Sequence, residues 1–150
     1  MNSIKQSLYN LCFNYIEERI QTAQNAIEAA RESANDDTKS SAGDKYETGR
    51  EMMQQEINTN AKQLNETLKL KILLQSIDPE NSGSIIRNGS LVFTNHETFY
   101  IAISAGKQKV NGKNYFVISA SSPIGTLLIK CKQGDSFNFN GKEFTVIDIK

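Results

Sequence analysis

The sequence predicts an α+β protein in which an antiparallel helical hairpin precedes a small β domain. The composition changes near residue 78: residues 1–77 contain no proline and two of the nine glycines, whereas residues 78–150 contain both prolines and many β-branched side chains. Apolar residues in the first part recur every three or four positions, which is typical of amphipathic helices. The second part contains short apolar runs separated by Asn-Gly pairs, which is typical of β-hairpins.

Two apolar seams predict the two helices of the hairpin. The first seam comprises Phe13, Ile16, Ile20, Ala23, Ile27, Ala30 and Ala34. The second comprises Tyr46, Gly49, Met53, Ile57, Asn60, Leu64 and Leu68. The polar stretch 35–44 is the turn-like segment between them, and a short connection makes the helices antiparallel neighbours. Since the seam residues become smaller towards this turn, we expect the hairpin to taper.

The end of the hairpin is acidic. Residues 28–51 contain seven acidic and four basic side chains, an excess of three negative charges. One interpretation is structural: Asp36 or Asp37 ends a helix, and Asp44 caps the second helix with Glu47 at the capping-box position. The other is that a narrow acidic tip enters a confined space in a partner. The residues alone leave both interpretations open.

The second part is predicted to form a compact β domain with one helix. Apolar and β-branched runs predict strands at 90–94, 99–103, 115–119, 137–139 and 143–149. Ser122 followed by Pro123 indicates a helix start, with Ser122 as the N-cap. Ile124, Leu127 and Leu128 then share one helix face, which we expect to lie on the sheet.

Composition also limits the function classes. The 17 basic and 17 acidic residues balance, which argues against a surface devoted to nucleic-acid binding. No apolar run approaches the ~20 residues that span a bilayer, and no signal peptide is predicted. Cys12 and Cys131 fit neither a disulfide framework nor a zinc site, so we expect two ordinary thiols in a reducing cytosol. His96, the only histidine, is predicted to be a surface residue.

Three runs together resemble a known family. Near the C-terminus, Ser122-Pro123-Ile124-Gly125-Thr126-Leu127-Leu128 is followed by Lys132-Gln133-Gly134-Asp135, and the hairpin carries Tyr46-Glu47-Thr48-Gly49-Arg50-Glu51. These runs resemble the S-P-[LI]-G-x-A-L-L, k-x-G-D and Y-x-A-A-[KR]-E patterns of the Gre family of bacterial transcript-cleavage factors. The resemblance covers most of the chain, in the family's order.

The resemblance implies a fold and a partner. Residues 1–77 would form the hairpin, and residues 78–150 an FKBP-like domain with an antiparallel sheet on one short helix. Family members dock this domain at the rim of the secondary channel of RNA polymerase and insert the hairpin into the channel. Docking is thereby implied for Ser122, Pro123 and Ile124. The resemblance also implies a cytoplasmic protein that acts in transcription elongation and its regulation and that, like the family, associates with DNA.

The resemblance further implies that two tip carboxylates help hold the second Mg²⁺ of the polymerase, which then cleaves backtracked RNA. The polymerase is the enzyme, and the factor has no cofactor of its own. Aligned on the N-terminal side of the tip, Asp37 matches the family's Asp, whereas Ser40 stands where a Glu is expected. Asp36 or Asp44 is therefore the candidate for the second metal ligand.

Basic residues at the tip are implied to contact RNA. Arg50 matches the [KR] position of the family motif, and Lys39 and Lys45 lie near it in the sequence. Contacts of this kind bind phosphates, without regard to base sequence. The alternative is an ion pair on a solvated helix, for example between Glu47 and Arg50.

Three other functions remain open. A non-cleaving Gre-like regulator would occupy the same channel, and a serine hydroxyl is a poor substitute for a carboxylate on Mg²⁺. A prolyl isomerase would need an aromatic pocket, and the chain contains no tryptophan. A dimerising coiled-coil adaptor would need an outward apolar seam, of which Tyr9, Leu11 and Cys12 offer only a short one. Because the two arms cover each other's seams, we expect a monomer.

Overall fold

The structure is a computed structural model. It describes the backbone of residues 3–40 and 44–150 and the side chains of residues 4–35 and 48–150. Helices α1 (Ser3–Ser40) and α2 (Asp44–Gln75) come first. They are followed by β1 (Leu91–Thr94), β2 (Thr98–Ile101), β3 (Gly106–Val110), β4 (Lys113–Ile118), α3 (Pro123–Ile129), β5 (Ser136–Phe139) and β6 (Lys142–Ile149). The predicted α+β class, a helical hairpin followed by a β domain with one short helix, is confirmed.

The chain forms two compact units. One is Ile16–Lys71, which contains most of the hairpin. The other combines Met1–Tyr15 with Ile72–Lys150, so the N-terminal turns of α1 and the end of α2 belong with the β domain. The boundary near residue 78 marks the change from helix to strand, whereas the compact units divide inside the helices.

Within Ile16–Lys71, the α1 seam is covered as predicted. Ile16, Ile20, Ala23, Ile27 and Ala30 are each at most 9% exposed. An ion pair of 2.8 Å joins Lys71 Nζ to Glu17 Oε1, which places the end of one helix beside the start of the other. The two helices of this unit are therefore antiparallel.

Among the described side chains, the seam of α2 departs from the prediction at Leu68. Leu68, predicted to face α1, is 39% exposed, and Thr67 is 2% exposed in its place. The seam therefore advances by three residues after Leu64, where the prediction advanced by four; at 3.6 residues per turn, either step keeps a residue near the same face. Thr67 tolerates burial because its hydroxyl donates a 2.8 Å hydrogen bond to the carbonyl of Gln63.

The segment between the two helices is also shorter than the predicted turn at 35–44. Helix α1 continues through Ser40, and α2 begins at Asp44. Residues 35–40 contain neither glycine nor proline, so nothing in that stretch forbids helical backbone.

The β domain contains one mixed sheet with the strand order β3-β4-β2-β1-β6-β5 in the described chain. Strands β2 and β4 are parallel, with Phe99 beside Phe116 and Ile101 beside Ile118, so the expectation of a purely antiparallel sheet is wrong for this pair. The cause is β3, a strand that the sequence did not predict. It occupies the edge of the sheet and forms an antiparallel hairpin with β4, which returns β4 to the direction of β2.

Two of the three Asn-Gly pairs form the predicted hairpin turns. Asn111 and Gly112 connect β3 to β4, and Asn140 and Gly141 connect β5 to β6, all with positive φ. Gly89 has a different role. Its N–H donates a 2.6 Å hydrogen bond to the carbonyl of Ile101, and a β-carbon there would lie 2.8 Å from Cγ2 of Ile77. A larger residue would therefore disturb this close contact.

The sheet is covered on both faces. On one face, Val92, Phe99 and Ile101 pack in a buried cluster with Leu128 of α3, and Ile124 packs against it. The predicted apolar face of α3 is thus confirmed for Ile124 and Leu128, while Leu127 is half-buried outside this cluster.

The opposite face meets the N-terminal turns of α1. Burial raises the pKa of the Tyr100 phenol, and the nearby Cys12 thiol and Tyr9 phenol add to the shift. Tyr9 itself donates a 3.0 Å hydrogen bond to the carbonyl of Leu74 in α2. In the part of the chain that the structure describes, no helix is both long and apolar enough to cross a bilayer.

Candidate functional site

The first turn of α3 is built by the residues of the Ser-Pro-Ile-Gly run. Ser122 Oγ accepts a 3.0 Å hydrogen bond from the N–H of Gly125 and donates one of 2.7 Å to the carbonyl of Ser119. Pro123 is the first residue of the helix, where its missing N–H costs nothing. The predicted helix start and its N-cap are confirmed.

Gly125 is required by the same turn. A β-carbon at this position would overlap the carbonyl oxygen of Ser119 and lie 2.8 Å from Ser122 Oγ. Ile124 is half-buried against the core, whereas Pro123 is exposed. Of the three candidate docking residues, Pro123 therefore presents its side chain to solvent, and Ser122 and Ile124 serve mainly the local fold.

The second part of the C-terminal run also forms a defined turn. Asp135 Oδ2 accepts a 3.0 Å hydrogen bond from the N–H of Lys132, and the N–H of Asp135 donates one of 3.0 Å to the carbonyl of Lys132. Gly134 has a φ of 93°, a value that favours glycine. Gly134 and Asp135 are thus explained by the turn that leads into β5.

Small residues occupy several seam positions of the hairpin in the residues that the structure describes. On α1, Ala23 is 6% exposed and Ala30 is 3% exposed, with Ile27 between them. On α2, Gly49 is half-buried. Small residues at such positions allow close approach of two helix backbones. Exposed charges flank this seam: Glu28, Arg31, Glu32, Arg50 and Glu51.

Most tip candidates lie outside the described side chains. These are Asp36, Asp37 and Asp44, the candidate metal ligands, and Lys39 and Lys45, the candidate RNA contacts. Their backbone places the first two aspartates within α1 and the third at the start of α2. Among the described residues, no group of three His, Cys, Asp or Glu side chains could hold a metal ion. The assignment of tip ligands therefore stays a prediction.

The cysteines and the histidine have ordinary structural surroundings. Cys12 is 1% exposed, and burial raises the pKa of its thiol to about 12. Cys131 is half-buried, and its S–H donates a 3.3 Å hydrogen bond to the carbonyl of Leu127. Both thiols are free, as expected. His96 is exposed, with Nε2 3.0 Å from the carbonyl oxygen of Glu143.

One feature near α3 was missed by the sequence analysis. A groove with a cavity volume of about 450 Å³ lies between residues 86–88 and α3, with Ala120 among its lining residues. We call it the α3 groove, and its cations are Arg87 and Lys130. No local sequence signal indicated it, because Arg87 and Lys130 are far apart in the chain.

Comparison with known proteins adds a distant likeness. No family model matches the chain, and no curated protein matches it. Among solved structures, the chain is similar to that of the transcription factor Gfh1, with 20% sequence identity and a TM-score of 0.35. The match covers 94% of this chain and 92% of the other. A likeness at this level does not define a function, because one fold serves many functions.

Proposed function

We propose that this protein binds bacterial RNA polymerase, inserts its hairpin into the secondary channel, and stimulates cleavage of backtracked RNA. The polymerase performs the reaction, and this chain contributes ligands to it without a cofactor of its own. The proposal depends first on the resemblance of the two C-terminal runs and the Tyr46–Glu51 run of the hairpin to Gre-family motifs. We also propose that the protein is a monomer and acts in the cytoplasm.

The observation that carries the proposal is the composition of the hairpin seam together with the charge of the sequence at its end. Beyond Ile20 the seam includes the small residues Ala23, Ala30 and Gly49, while the acidic residues accumulate at the same end of the hairpin. Small side chains bury little apolar surface, so this design adds little stability. It does suit entry into a narrow space that contains a cation.

The docking part of the proposal concerns Pro123. The hydrogen bonds of Ser122 and the close packing of Gly125 fix the turn on which Pro123 stands exposed. A rigid, exposed apolar residue loses little conformational freedom on binding. Pro123 would therefore contact the rim of the channel directly, and Ser122 and Ile124 would hold it in place.

The chemical part concerns the aspartates. In two-metal phosphodiester hydrolysis, the ions position the attacking water and stabilise the leaving oxygen. Mg²⁺ takes oxygen ligands and usually keeps several waters, so one or two carboxylates do not form a site by themselves. Asp37, helped by Asp36 or Asp44, would complete the coordination of an ion that the polymerase already holds. The isolated protein would bind Mg²⁺ weakly and have no nuclease activity.

Basic side chains near the tip would hold the RNA. Arg50 is exposed on α2, and Lys45 and Lys39 lie closer to the tip in the sequence. Their contacts with phosphates would be independent of the base sequence and weakened by salt.

One sequence observation favours a second candidate, a non-cleaving regulator of the same polymerase. Ser40, the last residue of α1, stands where the Gre pattern has a glutamate. A hydroxyl is a weaker Mg²⁺ ligand than a carboxylate. Such a regulator would occupy the channel and alter initiation or pausing without promoting cleavage.

A transcript-cleavage assay separates these candidates. Stalled, backtracked elongation complexes of a bacterial RNA polymerase are incubated with Mg²⁺ and the protein, and shortened RNA is measured on a gel. Stimulated cleavage supports the first candidate, and binding without stimulation supports the second. Absence of polymerase binding would reject both, and a stable dimer by light scattering would favour the coiled-coil adaptor.

A further inference from the structure

The β3–β4 hairpin carries three lysines close together. Lys107 and Lys109 lie two positions apart on β3, so they share one face of that strand, with their Cα atoms roughly 7 Å apart. Lys113 is the first residue of β4 and directly follows the Asn-Gly turn. All three lysines are exposed. The hairpin therefore presents three positive charges to solvent within residues 107–113.

The backbone of the hairpin holds these lysines in a fixed arrangement. Strands β3 and β4 are antiparallel over five residue pairs and are joined by a tight two-residue turn. Val110 is 9% exposed and Tyr115 is 2% exposed, so both strands are anchored in the β domain. Gln108 Nε2 also donates a 2.8 Å hydrogen bond to the carbonyl of Ala105 at the start of β3. Binding of a partner would therefore restrict mainly the lysine side chains, which limits its entropic cost.

The positive charge of the hairpin is not balanced by neighbours in the sequence. Residues 98–129 contain three basic side chains, which are these three lysines, and no acidic side chain. None of the three forms an ion pair with a residue that the structure describes. The zero net charge of the whole chain therefore conceals a local positive excess, and such an excess attracts partners of the opposite sign.

Protection of the sheet edge explains only part of this pattern. Lys107 and Lys109 lie on the edge strand β3, where charged side chains prevent pairing with strands of other molecules. Lys113 lies on β4, between β3 and β2, so edge protection does not account for it. The other exposed side chains of the hairpin, Asn111 and Asn114, are polar amides. The exposed surface of the hairpin therefore suits a polar partner with negative charge.

We propose that the β3–β4 hairpin binds the phosphate backbone of double-stranded DNA through Lys107, Lys109 and Lys113. The major groove of B-form DNA is wide enough to admit a two-stranded β-ribbon. Lysine contacts with phosphates carry no sequence information, so binding would be independent of base sequence. The hairpin lies outside the three runs that resemble Gre motifs, and its binding of DNA does not depend on RNA polymerase.

Duplex DNA suits the hairpin better than a protein or a single strand does. Protein interfaces have an apolar centre and are depleted in lysine, whereas no apolar side chain of residues 106–114 is exposed. Single-stranded nucleic acids bind to aromatic side chains on which the bases stack, and residues 106–114 include no aromatic ring. Interfaces with DNA are polar and positively charged, as this hairpin is.

Removal of the three charges tests the proposal. The full chain is labelled with a fluorophore and titrated at low salt with a DNA duplex of about 20 base pairs. The triple variant Lys107→Gln/Lys109→Gln/Lys113→Gln should lose about tenfold or more in affinity, and the dependence of log affinity on log salt should weaken by about 2–3. The matched control Lys62→Gln/Lys69→Gln/Lys142→Gln removes three exposed lysines elsewhere and should stay within about threefold of the parent.

Further variants separate DNA binding from effects on folding. Melting curves establish that the triple variant is folded, and replacement of the three lysines by arginine should retain the parent's affinity. Lys113→Gln alone leaves the edge strand intact and should lose about two- to threefold.

Four results would overturn the proposal: no binding of the duplex by the parent, equal binding by the triple variant, an equal loss in the matched control, or tighter binding of a single strand through the same lysines. None of these results concerns the binding of RNA polymerase, so the proposed function is tested separately.

Discussion

The hydroxyl of Ser122 accepts a 3.0 Å hydrogen bond from the backbone N–H of Gly125 and so caps the first turn of α3. Pro123 lies between the two and is exposed. Neighbouring residues of one motif therefore have separable roles: Ser122 and Gly125 stabilise the turn, and Pro123 is the part that a partner can contact.

This separation predicts opposite effects for two variants. Ser122→Ala removes the cap and should lower the free energy of unfolding by about 1 kcal/mol. Pro123→Glu should leave stability nearly unchanged, because an acidic residue in the first turn of a helix is favourable. It should weaken polymerase binding, measured by titration with labelled protein. A folded Pro123→Glu protein with the parent's affinity would reject the docking role.

The hairpin seam predicts a graded loss of stability. Ile20→Ala and Ile27→Ala should each cost roughly 2–4 kcal/mol in urea unfolding, because both side chains are buried. Ile57→Ala should cost less, since Ile57 is half-buried. Leu68→Ala, at an exposed position, is the matched control and should change little. Equal costs at all four positions would show that the helices pair differently.

The two thiols should react at different rates. Cys12 is buried, so iodoacetamide should label Cys131 first in the native protein and Cys12 only after unfolding. Burial raises the pKa of Cys12 from 9.0 to about 12, so the folded state keeps a proton that the unfolded state releases above about pH 9. The parent should therefore lose stability relative to Cys12→Ala as pH rises through that range.

Mass spectrometry locates the labels, and a Cys131→Ser variant supplies the control, because it should take up almost no label while folded. Rapid native labelling of that variant would mean that Cys12 is accessible and that the packing of α1 against the sheet is wrong.

Arg50 is predicted to contact the extruded RNA. A photoreactive nucleotide near the RNA 3′ end of a backtracked complex should crosslink to a peptide containing Arg50, and Arg50→Ala should reduce the yield. Lys62→Ala, an exposed lysine farther along α2, is the control. A bound complex in which Arg50→Ala crosslinks as well as the parent would leave Arg50 with a structural role only.

The sequence predicted correctly those elements whose local residue pattern agrees with their packing in the folded protein. The spacing of Ile16, Ile20 and Ala23 predicted the covered face of α1, and Ser122-Pro123 predicted the start of α3. The Asn-Gly pairs at 111–112 and 140–141 predicted the turns of the β3–β4 and β5–β6 hairpins, because a positive φ at two successive positions suits these residues.

The sequence did not predict those features that depend on contacts between distant parts of the chain. Strand β3 contains Lys107 and Lys109, so its sequence is as polar as that of a loop. In the structure β3 is an edge strand, and charged side chains at an edge prevent pairing with strands of other molecules. The parallel pairing of β2 and β4 follows from that strand and was missed with it. The α3 groove joins residues 86–88 to Lys130, which are far apart in sequence, so no local motif indicates it.

The most direct test of the central claim is transcript cleavage with Asp37→Asn, which removes a carboxylate charge while preserving side-chain size. Glu28→Gln, an equivalent change at an exposed position farther from the tip, is the control. We predict that the parent and Glu28→Gln stimulate cleavage of backtracked RNA, and that Asp37→Asn binds polymerase with similar affinity and stimulates none. Stimulation by Asp37→Asn equal to that of the parent would contradict the account.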